Sequence, residues 1–292
     1  DPDQLKRKIS HMAEFAGQSL GILTIVFCVA SMLNVGLRYS FREVLGPLRD
    51  VKSVALVLLA NFVAAPAFAW ALGTILQLSD EHMAGLLVVG TAAGAPILTQ
   101  LVALAGGKVA YAGSMMFLLL PATVIYMPIV LPLLISGVHV DAWAVAKPMI
   151  FSMLVPLVVG LLVHHYWPRV AAPLAKIAGP LGQLTLVLML MAVLVSTWNT
   201  LTGVLGQRLI LAGILYIAGC FGIGYLLSSR ELRLENAFST AQRNFAAVNV
   251  VAINSIGDPD TVVAAVVISF MAMFILFPAA GLIQRRGTTT SR

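Results

Sequence analysis

Six consecutive residues, Ser239-Thr-Ala-Gln-Arg-Asn244, put five polar side chains into a stretch that is apolar on both sides. A charged side chain near a bilayer centre costs about 2.5–3.5 kcal/mol on insertion scales, so Arg243 must face a cavity or a partner. Three chemistries suit it. Its planar fork of donors can capture an anion, its fixed charge can replace that of a bound cation, or it can cap backbone carbonyls at a helix break. No Asp or Glu lies in a predicted membrane interior to pair with it, which favours an anion. Ser239, Thr240, Gln242, Asn244 and Asn249 can line the same cavity.

A second interruption lies at Thr91-Ala-Ala-Gly94-Ala-Pro96. Pro96 has no N–H and its ring collides with the preceding turn, so a helix reaching it should break just before it. Irregular backbone at this depth is tolerated only where protein or a water-filled cavity satisfies it. Thr99, Gln100 and Asn61 are further polar residues in apolar surroundings that can join such a site. For each of them a plain helix–helix hydrogen bond is the competing role.

Other reactive residue types carry less. His164-His165-Tyr-Trp-Pro168 looks like metal-ligand material, but adjacent histidines face different sides of a helix and no third ligand is near. An interfacial belt is the expected role, with Tyr166 and Trp167 at headgroup level. Cys28 and Cys220 sit in apolar runs as inert thiols. There is no Walker loop, nucleophile elbow or HExxH, so ATP-driven transport and hydrolysis have no support, and no enzyme is expected.

The elements that must hold these residues follow from composition. The chain has 292 residues, 60% hydrophobic and only 10% charged, with a mean hydropathy of +0.96. Soluble domains carry about 25% charged residues, so this chain cannot cover a water-facing surface. It predicts an all-α polytopic membrane protein, because the apolar runs reach helix-spanning length and lack the alternation of barrel strands. Nine spans are expected, at about 17–37, 51–77, 83–104, 108–136, 146–166, 179–198, 208–229, 237–256 and 260–284, within one transmembrane domain covering 1–292.

The net charge of +6 lies in short loops, so it reads as a topology signal and not as a nucleic-acid surface. With the first helix running inward, twelve Lys and Arg fall on the cytoplasmic side and five on the outer side; with Arg243 these make all 18. The N-terminus is therefore expected outside and the C-terminus in the cytoplasm, in the inner (cytoplasmic) membrane. Gly107 and Gly257, and Pro128 and Pro278, recur at an offset of 150 residues. In a nine-span chain this joins spans three and eight, which run in opposite directions, and so predicts an inverted repeat. Two broken helices in matching repeat positions point to a midplane binding site.

The chain resembles the bile acid:sodium symporter superfamily. The resemblance rests on Asn61-Phe62 with Pro66 and Ala69-Trp70, on Val89-Gly90 and the Gly94–Pro96 break, on Leu104-Ala105 with Gly107, and on Arg243-Asn244. It implies a nine-helix member in which spans three and eight are two crossing discontinuous helices. It also implies a panel (about 17–37 and 146–198) and a core (about 51–136 and 208–284). The departures sit in the sodium motifs. Where the family pattern has Gly-Gly-Thr-x-Ser-Asn, an ungapped match puts Leu98 and Thr99 at the Ser-Asn pair, and a one-residue gap puts Thr99 and Gln100 there. Where it has Glu-x-Gly-x-Gln-Asn, Ser239 stands at the Glu and Arg243 at the Gln.

The expected function is secondary transport of a small or amphipathic organic anion by alternating access, without two-sodium coupling. No cofactor is expected; sodium is the ion the resemblance implies and the departures argue against. The expected partners are the anion and the lipid bilayer. The alternatives are a sodium-dependent symporter of bile-acid-like or keto-acid substrates, and a membrane binding or sensor protein that keeps the fold without transport. The candidate site comprises Arg243, Asn244, Gln242, Thr240, Ser239, Asn249, Thr99, Gln100, Asn61, Gly94 and Pro96.

Overall fold

The computed structural model describes residues 21–135, 142–196, 207–256 and 258–290. The basic N-terminal cluster, His139, Asp141 and Gly257 lie outside the described residues. Every regular element among the described residues is a helix, as the composition requires. Among the described residues six helices are long and apolar enough to cross a membrane, and Ile150–Tyr166 is a shorter apolar helix. The two remaining predicted spans are the interrupted ones.

In chain order, α1 is Gly21–Arg38. The short α2, Phe41–Leu45, starts in a capping box: the Glu43 N–H donates to Ser40 Oγ at 3.2 Å, and the Ser40 N–H donates to Glu43 Oε2 at 2.8 Å. Helix α3, Val51–Ile75, begins on Asp50, whose carboxylate accepts the Ser53 N–H. Next come α4, Asp80–Thr91, and α5, Leu98–Leu104. Helix α6, Val109–Leu134, is unbroken despite Pro121, Pro128 and Pro132. Helix α7 runs from Ala142–Met149 through a π-turn, Ile150–Leu154, into Val155–Tyr166. Helix α8 is Pro168–Ser196 and α9 is Gln207–Leu226. The eighth span is α10, Arg233–Ala241, and α11, Phe245–Val251, which ends in a π-turn, Ala252–Ile256. Helix α12 is Pro259–Thr290.

These helices divide into two compact units. One comprises Asp1–Arg38 and Phe151–Gln207, the other Tyr39–Ile150 and Arg208–Arg292. In the first, α1 and α7 meet backbone to backbone at two glycines. A Cβ on Gly36 would fall 2.3 Å from the Leu157 carbonyl oxygen, and one on Gly160 2.6 Å from that of Leu33. This is the small-residue packing that lets membrane helices approach closely. His164, at the end of α7, bonds the Leu37 carbonyl through Nδ1 at 2.7 Å.

The second unit holds both broken helices, and the repeat is visible in its element boundaries. Helices α6 and α12 start at Val109 and Pro259, 150 residues apart. Helix α3 is irregular in its middle. Pro66 has no N–H, so the Phe62 carbonyl loses its partner one turn later, and a π-turn forms over Ala60–Ala64. The Tyr126 hydroxyl of α6 donates to that freed carbonyl at 2.6 Å. The Lys108 Nζ lies 3.7 Å from Glu231 Oε2.

Candidate functional site

Helix α4 stops at Thr91 and α10 at Ala241, and each leaves its last carbonyls without intrahelical donors. The two stops meet. The Asn244 N–H donates to the Ala92 carbonyl at 2.9 Å, and Asn244 Nδ2 donates to the Gly94 carbonyl at 3.1 Å. Asn244 and Gly94 are themselves 150 residues apart. A residue can touch its own repeat partner only close to the axis that relates the repeats, so this contact marks the pseudo-twofold. Asn244 also opens α11, its Oδ1 accepting the Ala247 N–H at 3.1 Å.

Gly94 has φ +76°, a left-handed conformation that favours glycine, and a Cβ there would lie 2.6 Å from the Leu120 backbone nitrogen. On the α6 side, Thr123 Oγ1 accepts the Ala93 N–H and donates to the Ala93 carbonyl, both at 3.1 Å. One hydroxyl thus serves both backbone groups of a residue that no helix supports.

Arg243 follows the stop of α10 and is 1% exposed. Its Nε donates to the Val89 carbonyl at 3.1 Å. Nη1 donates to Asn61 Oδ1 at 2.8 Å and to the Thr240 carbonyl at 3.3 Å. Nη2 donates to the Asn61 carbonyl at 3.3 Å and to the Gly90 carbonyl. A guanidinium has five N–H donors, and all five are used. Gly90 and Thr240, one repeat apart, present their carbonyls at the C-terminal ends of α4 and α10, where the helix dipoles are negative. Asn61 adds two oxygens from the π-turn of α3, and its Nδ2 holds the Val57 carbonyl at 3.0 Å and Thr240 Oγ1 at 3.4 Å. None of the five acceptors is a carboxylate, so the positive charge is hydrogen-bonded but not neutralised by its contacts.

The structure therefore brings Arg243, Asn244, Thr240, Asn61 and Gly94 together. Pro96 is buried in the α4–α5 break beside them. Gln242 is buried too; its Nε2 donates to the Arg243 carbonyl at 3.2 Å, while its Oε1 has no partner among the described residues. Ser239 and Asn249 bond within their own helices, to the Asn236 and Phe245 carbonyls. Thr99 is half-buried and Gln100 exposed on the first turn of α5, with no side-chain hydrogen bond among the described residues.

Sequence reading missed Thr123, Tyr126 and Glu235. Glu235 is 3% exposed, and its Oε1 accepts the Lys108 N–H at 2.6 Å. It escaped notice because α10 begins at Arg233, four residues before the apolar run. Tyr216, fully buried, has a hydroxyl with no hydrogen-bond partner among the described residues. Among the described residues no group of three or more His, Cys, Asp or Glu side chains comes together.

The family model of the sodium bile acid symporter family matches residues 24–204. A probable chloroplastic sodium/metabolite cotransporter of rice (Oryza sativa subsp. japonica) is 27% identical over 198 residues, covering 68% of this chain and 47% of its own length. A second probable chloroplastic sodium/metabolite cotransporter, from Arabidopsis thaliana, is 24% identical over 274 residues, covering 90% of this chain and 67% of its own length. The chain thus spans about half of the first relative and two thirds of the second. With the family model lying over more than half of its length, on the same apolar helical architecture, the chain belongs to the sodium bile acid symporter family.

Proposed function

We propose that the protein is a secondary carrier of a small or amphipathic organic anion and works by alternating access. The Tyr39–Ile150 and Arg208–Arg292 unit would act as the core and the other unit as the panel. One observation carries the substrate class: a buried arginine held only by neutral oxygens where two half-helices meet. Because all its N–H groups are engaged, Arg243 acts through its field and not as a bidentate clamp. At an effective dielectric of 20, a unit charge about 8 Å away contributes about 2 kcal/mol to an anion's binding. Thr99 and Gln100, at the start of α5 and without a side-chain hydrogen bond among the described residues, would offer direct contacts to the substrate. The names of the two relatives, sodium/metabolite cotransporters, support a metabolite as cargo.

The test is uptake of labelled carboxylates into proteoliposomes. Accumulation against a gradient, or exchange with anion loaded inside, is expected. Saturable binding without any flux would favour the sensor reading instead.

The orientation proposed from the twelve-to-five distribution of Lys and Arg puts the N-terminus outside the cell and Arg285–Arg286 in the cytoplasm. Single-cysteine labelling in a background lacking Cys28 and Cys220 is expected to reach the N-terminal segment from outside. Labelling there only after permeabilisation would reverse the assignment.

A further inference from the structure

We infer that Arg243 is a tethered replacement for a bound cation, so that the helix break carries its own positive charge and takes up no sodium there. Sodium is the ion that the family's name implies, and the donor set decides whether it fits. Five oxygens converge on the guanidinium: the carbonyls of Val89, Gly90, Asn61 and Thr240, and Asn61 Oδ1. They are neutral, hard and drawn from three separate stretches of chain, as in the shell that oxygen-ligated metal cations select. Two of them close the C-terminal ends of half-helices, which favour positive charge. An alkali cation cannot use these oxygens while the guanidinium does.

The alternative is an arginine that merely ties off loose carbonyls. Neutral donors can do that: Asn244 serves the Ala92 carbonyl with its main-chain N–H and the Gly94 carbonyl with its side-chain amide at the same junction. A permanent charge, buried at 1% exposure and with no carboxylate partner among the described residues, is costly unless the charge itself is used. The guanidinium is tied to the main chain, so this cation cannot leave the junction as a bound ion can. The chain would then carry anions without sodium binding at this junction. This extends the carrier reading, but its test needs no transport.

The experiment is thermal unfolding of purified protein in sodium chloride against choline chloride at equal ionic strength. The wild-type midpoint is expected to be the same in both salts. Arg243→Gln and Arg243→Ala uncover the oxygens, and sodium should raise their midpoints by at least about 2 °C over choline. Arg243→Lys keeps a tethered charge and should show no sodium shift. If the neutral variants are recovered poorly, folded protein should survive solubilisation in sodium and not in choline; equal loss in both salts would overturn the inference. So would a wild-type midpoint that rises with sodium, or a folded Arg243→Gln that ignores sodium. Absence of anion uptake would overturn the carrier reading and leave these shifts as they are.

Discussion

Arg243→Ala is expected to lower the unfolding midpoint in sodium-free buffer by about 10 °C. The substitution removes one donor from each of five oxygens, four of them main-chain carbonyls in helix interruptions, and the Val89 carbonyl keeps another donor, the Ala92 N–H at 3.3 Å. A buried acceptor left without a partner costs about 1–3 kcal/mol. Relaxation of the π-turn and release of the desolvated charge offset part of the sum, so a net loss of about 3–5 kcal/mol is expected. At about 2 °C per kcal/mol for a chain of this size, the upper end of that range gives the stated shift. Arg243→Lys supplies three donors and the charge, and should lose about half as much. Detergent-solubilised protein followed by size exclusion after heating measures both. An alanine variant within a degree of wild type would show that the five oxygens do not depend on this side chain.

Gly94→Ala should be nearly as damaging, for a reason that involves no charge. The residue holds φ +76°, which costs a side-chain-bearing residue about 1–2 kcal/mol. Its new Cβ would also lie 2.6 Å from the Leu120 nitrogen and 2.9 Å from the Leu119 carbonyl carbon, backbone atoms that cannot swing away. Forcing them apart adds about 1–3 kcal/mol. Gly106 isolates the two contributions. It has the same φ of +76°, but the nearest atom to an added Cβ is Gln284 Cγ at 3.8 Å. Gly106→Ala should therefore show only the conformational cost, and equal midpoints for the two variants would contradict the packing described around Gly94. Gly94→Ala should also disturb whatever the junction binds, since the Gly94 carbonyl accepts from Asn244.

Much of this architecture was legible in the residues because the bilayer imposes a length on every apolar run. The break at Gly94–Pro96 followed from the missing N–H of Pro96, and the cluster at Ser239–Asn244 from its polarity. Boundaries shifted where charge dilutes hydropathy. Helix α8 starts at Pro168, well before the apolar run at 179, because Arg169 and Lys176 ride on its first turns. The partners of Arg243 were not legible. Four of its five acceptors are main-chain carbonyls, which have no residue type to read, and Val89, Gly90 and Asn61 lie 153 or more residues away. Tyr126 and Thr123 were hidden for a related reason. A single hydroxyl in a 26-residue apolar helix has no periodic signature, although Pro66 had already announced a freed carbonyl for one of them.

Carboxylate uptake into sodium-free proteoliposomes by wild type, Arg243→Lys and Arg243→Gln measures directly whether a tethered charge at the helix junction draws an anion in. Wild type and the lysine variant should both transport. The glutamine variant should lose roughly 30-fold in apparent affinity, the equivalent of about 2 kcal/mol of field, and regain part of it when sodium is supplied. Wild-type uptake that needs sodium, or glutamine-variant uptake equal to wild type without it, would contradict the account.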